Sequence, residues 1–263
     1  MDVYDIATNS WSTSFQLEAI MAKSDFGMFA NDNSLYMVGG YDKDYTASNS
    51  TYKLNLGTLG VEELGNLVES RGDIHAEIVG DKAVVTGGFT HENGFCQAKN
   101  STEIFDLSTN EWTQLDDMNI HRGDQAVVSL DNLLFVIGGE YKIKCSGDPA
   151  ESTTPSDEVD VLDLSATSSW RKLDEIPDNR FRFQGEAFPP TDTIYIFGGQ
   201  KYYDVDCDCY AVSDKVLAYH VHMEDLQEEI GAAAMGDSGA FDVNAMSFAV
   251  FTIVSTAFML SLV

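Results

Sequence analysis

The chain has 263 residues, 43 of them Asp or Glu and only 15 Lys or Arg, so its formal net charge at pH 7 is −28. Partners that bind through phosphates need Lys and Arg, so no nucleic-acid partner is expected and anionic membrane surfaces are disfavoured. A hydrophobic content of 44% is enough for a buried core, and five prolines with scattered charges argue against disorder.

The first residues predict two short strands joined by a polar turn, with Tyr4 in the first strand and Trp11 seven positions later. A spacing of seven or eight returns in four further segments. These are the pairs Tyr52 and Leu59, Phe105 and Trp112, Leu162 and Trp170 (spaced by eight), and Tyr219 and Leu226. We expect the Trp side chains to fill the space between neighbouring sheets, provided that each indole N–H finds a hydrogen-bond acceptor.

Apolar strands that end in a Gly-Gly pair provide the second repeated pattern. The pairs are Gly39 and Gly40, Gly87 and Gly88, Gly138 and Gly139, and Gly198 and Gly199. A basic residue stands sixteen positions before the first glycine of each pair, namely Lys23, Arg71, Arg122 and Arg182. Glycine permits positive φ and a close backbone approach, so each pair predicts a tight turn beside a neighbouring sheet. A unit of roughly 50 to 60 residues is typical of a repeat array.

Each unit therefore predicts a four-stranded antiparallel sheet, and the combined pattern resembles the kelch repeat, a blade of a β-propeller. The resemblance covers residues 1 to about 230 and implies an all-β, kelch-type β-propeller. We expect an N-terminal half-blade followed by four full four-stranded blades. The predicted boundaries are 1–20 for the half-blade and about 21–70, 71–121, 122–179 and 180–230 for the blades.

The count leaves the closure of the ring open. The half-blade supplies late strands, and no matching early strands follow Glu229. Either the ring is open or partial, or the sequence is an N-terminally incomplete part of a longer protein, which is the interpretation we favour. A missing N-terminal part would also account for the lack of a signal peptide before Val3.

The C-terminal region predicts a small, polar linker at 231–247 and an apolar helix or tail at 248–263. This layout is typical of a glycosylphosphatidylinositol attachment signal, with Gly236, Ser238 or Gly239 as the lipid-attachment residue. A C-terminal membrane helix and a merely buried apolar end are the alternatives. A span is just possible, because the uncharged stretch counted from Ala245 has 19 residues.

The four cysteines, Cys96, Cys145, Cys207 and Cys209, all lie shortly after a Gly-Gly pair. They therefore fall in loops between the second and third strands, on one face of the propeller. Disulfides such as Cys96–Cys145 are expected in an oxidising compartment, although the connectivity is not readable from sequence. Free thiols and a zinc site are the alternatives.

Two glycosylation sequons begin at Asn49 and Asn100, in corresponding loops of consecutive blades. With the cysteines and the apolar tail, they favour a membrane-associated protein at the cell surface. A cytoplasmic protein is the alternative. An acidic stretch at 204–208 leaves loose Ca²⁺ binding open.

For function, the favoured hypothesis is a non-catalytic module that binds proteins or glycans through its loops, above all 139–157 and 199–214. No catalytic, cofactor-binding or metal-binding residue is assigned and no cofactor is expected. The alternatives are a propeller enzyme, such as an oxidase or a sugar-modifying enzyme, and an intracellular kelch adaptor. The two Arg-Gly-Asp tripeptides at Arg71 and Arg122 coincide with the repeated basic position, so adhesion recognition is not the favoured interpretation.

Overall fold

A computed structural model describes residues 3–12, 22–142, 145, 153–165, 169–234 and 247–252. Gly236, Ser238 and Gly239 lie outside the described residues, as does the apolar segment 253–263. Within the described residues, the chain forms four four-stranded antiparallel sheets, as the repeat predicts.

Blades 1 and 2 each contain four consecutive strands that pair in chain order. Blade 1 consists of β3 (Gly27–Asn31), β4 (Ser34–Val38), β5 (Thr51–Asn55) and β6 (Val61–Glu63). Blade 2 consists of β7 (Ala76–Val79), β8 (Lys82–Thr86), β9 (Thr102–Asp106) and β10 (Glu111–Leu115). The second strand of each blade runs into Gly-Gly and is mostly apolar. In blade 2 this is because blades 1 and 3 cover the two faces of the strand.

Blades 3 and 4 follow the same order but carry insertions. Blade 3 consists of β11 (Ala126–Leu130), β12 (Leu133–Ile137), β15 (Val159–Asp163) and β16 (Arg171–Leu173). Blade 4 consists of β17 (Gln184–Phe188), β18 (Thr193–Phe197), β21 (Lys215–His220) and β22 (Ser247–Thr252). A helix, α1 (Met223–Ala234), lies between β21 and β22 in the chain.

Three further hairpins complete the described strands. Two hairpins lie in the loops that follow Gly-Gly. They are β13 (Glu140–Lys142) with β14 (Thr153–Pro155), and β19 (Gln200–Asp204) with β20 (Cys209–Val212). The third is the predicted N-terminal half-blade, β1 (Tyr4–Asp5) with β2 (Ser10–Trp11), in which Tyr4 pairs with Trp11. Trp11 is 70% exposed, so this hairpin lacks the packing that buries the other two tryptophans.

The core consists of apolar layers between successive blades. Trp112 of blade 2 lies in the layer against blade 1, and its Nε1 donates to Thr51 Oγ1 at 2.9 Å. Trp170 of blade 3 lies in the layer against blade 2, and its Nε1 donates to the Asp116 carbonyl at 3.0 Å. Both indoles thus fill the gap between sheets and satisfy their N–H groups, as expected.

The Gly-Gly pairs join one blade to the next. Gly87 and Gly88 have φ values of 63° and 90°, and a Cβ on Gly87 would lie 2.2 Å from the Arg122 carbonyl oxygen. The Gly88 N–H donates to that same oxygen at 2.8 Å. The equivalent bonds run from Gly40 to Arg71 and from Gly139 to Arg180. Gly198 differs, because a Cβ on it would lie 3.7 Å from the nearest atom, the Ser213 carbonyl oxygen.

Two predicted outer strands are placed differently in the structure. Leu59 lies in a turn with φ of 60° and is 45% exposed, and the strand starts at Val61, which pairs with Leu54. Leu226 lies in α1 and is buried against the layer between blades 3 and 4. The spacing of seven predicts a hairpin, but an apolar residue at that distance serves equally well in a turn or on a helix face.

The outer strand of blade 4 comes instead from the apolar tail. β22 pairs with β21 over six residues, from Ser247 opposite His220 to Thr252 opposite Lys215. The predicted apolar helix is therefore a strand over the part of the tail that the structure describes. Among the described residues, no helix is both long enough and apolar enough to cross a membrane.

Candidate binding face of the propeller

One face of the propeller is built from two kinds of segment. The loops after Gly-Gly pair with the segments that lead into the inner strands. The bridges are Ser24 with Tyr41, Gly72 with Phe89, Gly123 with Glu140, and Phe181 with Gln200. We call this face the loop face. Because the bridges recur in every blade, they hold the loops at fixed positions around the axis.

Buried arginines fasten the segments of blades 2, 3 and 4 to their blades, whereas blade 1 has the half-buried Lys23 at this position. Arg71 and Arg122 are fully buried, and their Nη1 atoms donate to the Gly87 and Gly138 carbonyls at 2.8 and 3.1 Å. Arg71 Nη2 also donates to Glu103 at 2.7 Å. These side chains are enclosed within the fold, so neither Arg-Gly-Asp tripeptide presents its arginine to a partner.

The equivalent residue in blade 4 is Arg180 and not Arg182, which corrects the predicted register. Arg180 is buried, and its Nη1 donates to the Gly198 carbonyl, 18 positions away rather than 16. The hairpin between the inner and second strands is two residues longer in blade 4, because it contains a 3-10 turn at Pro189–Thr191. A fixed offset counted back from Gly198 therefore reaches the wrong basic residue.

A ring of four side chains stands two positions after the basic residues. Asp25, Asp73, Asp124 and Arg182 all have left-handed backbone, with φ between 51° and 55°. Their backbones form a chain of hydrogen bonds across the blades: Asp73 N to Asp25 O, Asp124 N to Asp73 O, and Arg182 N to Asp124 O, at 2.9 to 3.0 Å. The ring brings three carboxylates and one guanidinium to the axis of the propeller.

These residues line a cavity of about 310 Å³, the axial cavity, together with His75, Gln125 and Gln184 among others. Arg182 Nε donates to Asp124 at 2.9 Å, and the Tyr41 hydroxyl donates to Asp73 at 2.8 Å. Asp25, Arg182 and Gln184 are exposed, so the cavity opens to solvent.

Burial and mutual repulsion disturb the ionisation of this cluster. Burial, and then the charge of Asp124, raise the pKa of Asp73 to about 7. Burial raises the pKa of Asp124 to about 6, although Arg182 opposes the shift. Burial also raises the pKa of the neighbouring Glu140 and lowers the pKa of His75. The axial cavity thus holds more negative charge than its own cation compensates.

Farther along the inner strands, a second cavity of about 320 Å³ lies between Glu77, Ser129 and Glu186. Ser129 donates to Glu77 Oε1 from both its backbone N and its hydroxyl, at 3.2 and 2.6 Å. Burial raises the pKa of Glu77, and the charge of Glu186 adds to the shift. Acidic groups therefore continue along the axis.

A third cavity, of about 380 Å³, opens on the loop face between blades 2 and 3, and we call it the loop cavity. Its lining includes Gln97, His121, Tyr141, Lys142 and Glu158. Cys96 and Cys145 are joined in a disulfide, which ties the loops of blades 2 and 3 beside this cavity. The loop cavity thus has a mixed polar and aromatic lining and a rim that is tied by a disulfide.

The remaining residues singled out by the sequence have structural partners. Cys207 and Cys209 are joined to each other in the turn of the β19–β20 hairpin. Asn49 Nδ2 donates to the Leu67 carbonyl at 3.1 Å, and Asn100 Nδ2 donates to the Met118 carbonyl at 3.4 Å. This shared contact accounts for the repetition of Asn in both blades. Glycosylation of either residue stays a prediction.

In the part of the chain that the structure describes, no three His, Cys, Asp or Glu residues converge to hold a metal ion. The axial carboxylates are the functional candidates that the sequence interpretation missed. The signal was present, because an Asp follows the basic residue by two positions in three units, at Asp25, Asp73 and Asp124. Two of these three residues, Asp73 and Asp124, end the Arg-Gly-Asp tripeptides.

Four-stranded blades that end their second strands in Gly-Gly, with an arginine fastening the entry segment in three of the four, define a kelch-type propeller. A family model described as the KLHDC2/KLHL20/DRC7 Kelch-repeats domain matches residues 1–199. The chain belongs to the kelch-repeat family.

Curated relatives are distant in sequence. The chain is 23% identical to Kelch repeat protein M-T8 of Myxoma virus (strain Lausanne) over 74% of its length and 35% of the relative. It is 28% identical to Kelch-like protein terF of Aspergillus terreus over 66% of its length and 38% of that protein. A match to Kelch repeat and BTB domain-containing protein 2 of Cowpox virus, at 27% identity, covers 41% of the chain and 19% of the relative.

The chain thus spans well under half of the length of these relatives. Among solved structures, the one titled "Structure of YjhT" matches with a TM-score of 0.61 at 18% identity, covering 75% of this chain and 68% of that one. At this identity the likeness supports the fold alone.

Proposed function

We propose that the chain is a non-catalytic binding module that recognises a protein partner through the loop face. The carrying observation is the loop cavity, a concave site of about 380 Å³ whose neighbouring loops are tied by the Cys96–Cys145 disulfide. Rigid blades that hold variable loops are well suited to recognition, because little conformational entropy is lost on binding.

The test compares two faces of the same blades. A partner is first captured from extract with the full chain, and its affinity is then measured with purified protein. The variant Tyr141→Ala with Lys142→Ala alters the loop cavity, and we expect at least 10-fold weaker binding. Lys82→Ala, at the opposite end of blade 2, is the matched control and should bind normally. Equal affinity of both variants would place the partner elsewhere and contradict the proposal.

A glycan ligand is the second form of this proposal, and a glycan array on the same variants separates the two. A catalytic propeller is the alternative class. It would be supported by bound copper, iron or zinc in the purified protein, or by turnover of sugar substrates.

We also propose that the protein is secreted and tethered to the cell surface through its C-terminal region. Its support is that all four cysteines are disulfide-bonded, which is typical of oxidising compartments. Release from cells by a phosphatidylinositol-specific phospholipase, with a glycosidase-sensitive mass, is the expected result. A chain that resists release and carries no N-glycan at Asn49 or Asn100 would favour the intracellular adaptor.

A further inference from the structure

We propose that the axial cavity is a receptor for a single basic side chain, the ammonium of a lysine or the guanidinium of an arginine, on the partner protein. This inference rests on the proposed function, since it assigns a part of the loop face to one chemical group of the partner. Neither the family match nor the sequence pattern assigns a ligand to this cavity.

The first argument is the balance of charge. Asp25, Asp73 and Asp124 line the cavity, and Glu140 lies at its margin. Arg182 is the one arginine or lysine among the lining residues that the structure describes, and its guanidinium is already engaged by Asp124, Glu140 and Gln200.

The charge of Arg182 also opposes the rise in the pKa of Asp73, but neither Asp25 nor Asp73 has a salt bridge to a lysine or arginine in the described part of the chain. Burial lowers the pKa of His75, so this side chain is neutral at pH 7 and does not fill the role. Burial, and then the charge of Asp124, raise the pKa of Asp73 to about 7, and a cationic group that enters the cavity relieves the part due to repulsion.

The second argument is an unsatisfied acceptor. Gln125 is 1% exposed and lines the same cavity. Its Nε2 donates to the Thr86 carbonyl at 2.7 Å, while its Oε1 has no hydrogen-bond partner among the described residues. A buried carbonyl oxygen without a donor carries a free-energy penalty, and a ligand that brings N–H groups removes it.

The third argument is size and access. A cavity of about 310 Å³ is large enough for the end of a lysine or arginine side chain, and it opens to solvent on the loop face. An array of acceptors favours a polyvalent N–H donor over an anion or an apolar group. The surrounding negative charge also attracts basic partners at long range.

The experiment uses the full chain and fragments that copy the two side-chain ends, n-butylammonium and n-butylguanidinium. Binding is followed by ¹H–¹⁵N NMR shifts of the Asp73, Asp124 and Arg182 amides. We expect saturable shifts with dissociation constants in the millimolar range, as befits ligands of this size. The neutral analogue n-butanol should leave these amides in place.

The variant Asp73→Asn with Asp124→Asn should weaken fragment binding at least 10-fold. Asn tolerates the left-handed backbone at both positions, so the fold is expected to survive. Asp44→Asn with Asp206→Asn makes the same change of charge at exposed loop positions and is the matched control. It should bind the fragments within 2-fold of the unsubstituted chain.

Three results would overturn the inference. The first is that neither fragment shifts the amides at a 50-fold excess over about 1 mM protein, and the second is that fragment binding weakens equally in both double variants. The third is that CaCl₂ alone gives the same shifts at lower concentration, which would indicate a metal site. Retained partner binding through the loop cavity, without fragment binding, would refute this inference and leave the proposed function standing. The proposed function is refuted separately if the partner binds equally well to the loop-cavity variant, Tyr141→Ala with Lys142→Ala, and to the control Lys82→Ala.

Discussion

Replacing the buried carboxylate Asp160 should destabilise blade 3 strongly. Asp160 and Arg122 are both fully buried, and Arg122 Nη2 donates to Asp160. Asn119 Nδ2 donates to the other carboxylate oxygen at 2.7 Å. Asp160→Leu leaves a buried guanidinium without its counter-ion, and breaking such a pair lowers the free energy of unfolding by about 3–5 kcal/mol.

The repeat itself supplies both the substitution and its rescue. Leucine is the natural residue at this position in blade 4, where Leu217 stands in the third strand. There Arg180 is compensated by Asp178, two positions earlier, at 3.2 Å. In blade 3 that earlier position is Ile120, which is uncharged. Adding Ile120→Asp to Asp160→Leu should therefore recover at least about 1 kcal/mol, the value of a hydrogen bond to a charged group.

Urea unfolding, followed by tryptophan fluorescence and circular dichroism with the disulfides intact, measures both effects. With a slope of about 3 kcal/mol per molar urea for a chain of this size, the single variant should unfold at least about 1 M earlier. A shift under about 0.3 M would show that the pair adds little to stability. Failure of Ile120→Asp to raise the midpoint would refute the equivalence of blades 3 and 4.

Further predictions concern the glycines, the axial carboxylates and the disulfides. Gly87→Ala should lower the unfolding free energy, measured in urea, by at least about 2 kcal/mol more than Gly198→Ala. Both glycines have positive φ, but only the new Cβ at position 87 would clash, at 2.2 Å from the Arg122 carbonyl oxygen. The raised pKa of Asp73, about 7, means that the folded state binds more protons than the unfolded state between about pH 4 and pH 7. Stability of the unsubstituted chain should fall as pH rises through this window, and Asp73→Asn should remove that fall, on the order of 1 kcal/mol per pKa unit, in melts at pH 5 and pH 8. Peptide mapping without reductant should recover one fragment that links Cys96 to Cys145.

Each of these has a clear contrary result. Equal destabilisation by the two glycine substitutions would mean that backbone strain alone, and not the following blade, decides the effect. A parallel pH dependence in Asp73→Asn and the unsubstituted chain would place the titration on another group. Fragments in which Cys96 is alkylated or bound to a different cysteine would contradict the tie between the loops of blades 2 and 3.

The blades were predictable from sequence because their determinants are local. Gly-Gly after an apolar strand requires positive φ at one place, and the Phe105–Trp112 spacing matches a hairpin register that the structure reproduces pair by pair. The same local logic failed where chain length varies. The longer hairpin at Pro189–Thr191 shifted the arginine register of blade 4 by two positions.

Features that depend on distant segments were not predictable in this way. The outer strand of blade 4, β22, comes from beyond α1, so no sequence pattern close to Tyr219 predicts it. The axial cavity likewise forms only when segments some fifty residues apart converge on one axis. The repeat marks Asp25 and Asp124 as equivalent positions, but their convergence on one axis and their shared left-handed backbone are visible only in the fold.

The backbone N–H groups of Gly40, Gly88 and Gly139 donate to the arginine carbonyl of the following blade, so each donor is synthesised before its acceptor. During synthesis, roughly 30 to 40 more residues are added between each Gly-Gly turn and its acceptor. At ordinary elongation rates the acceptor therefore follows the donor out of the ribosome after about 2 to 8 s. For that interval the newest blade has one bare apolar side and one open backbone donor. Chaperone contact on the nascent chain should therefore rise and fall once per blade, with a period set by the repeat.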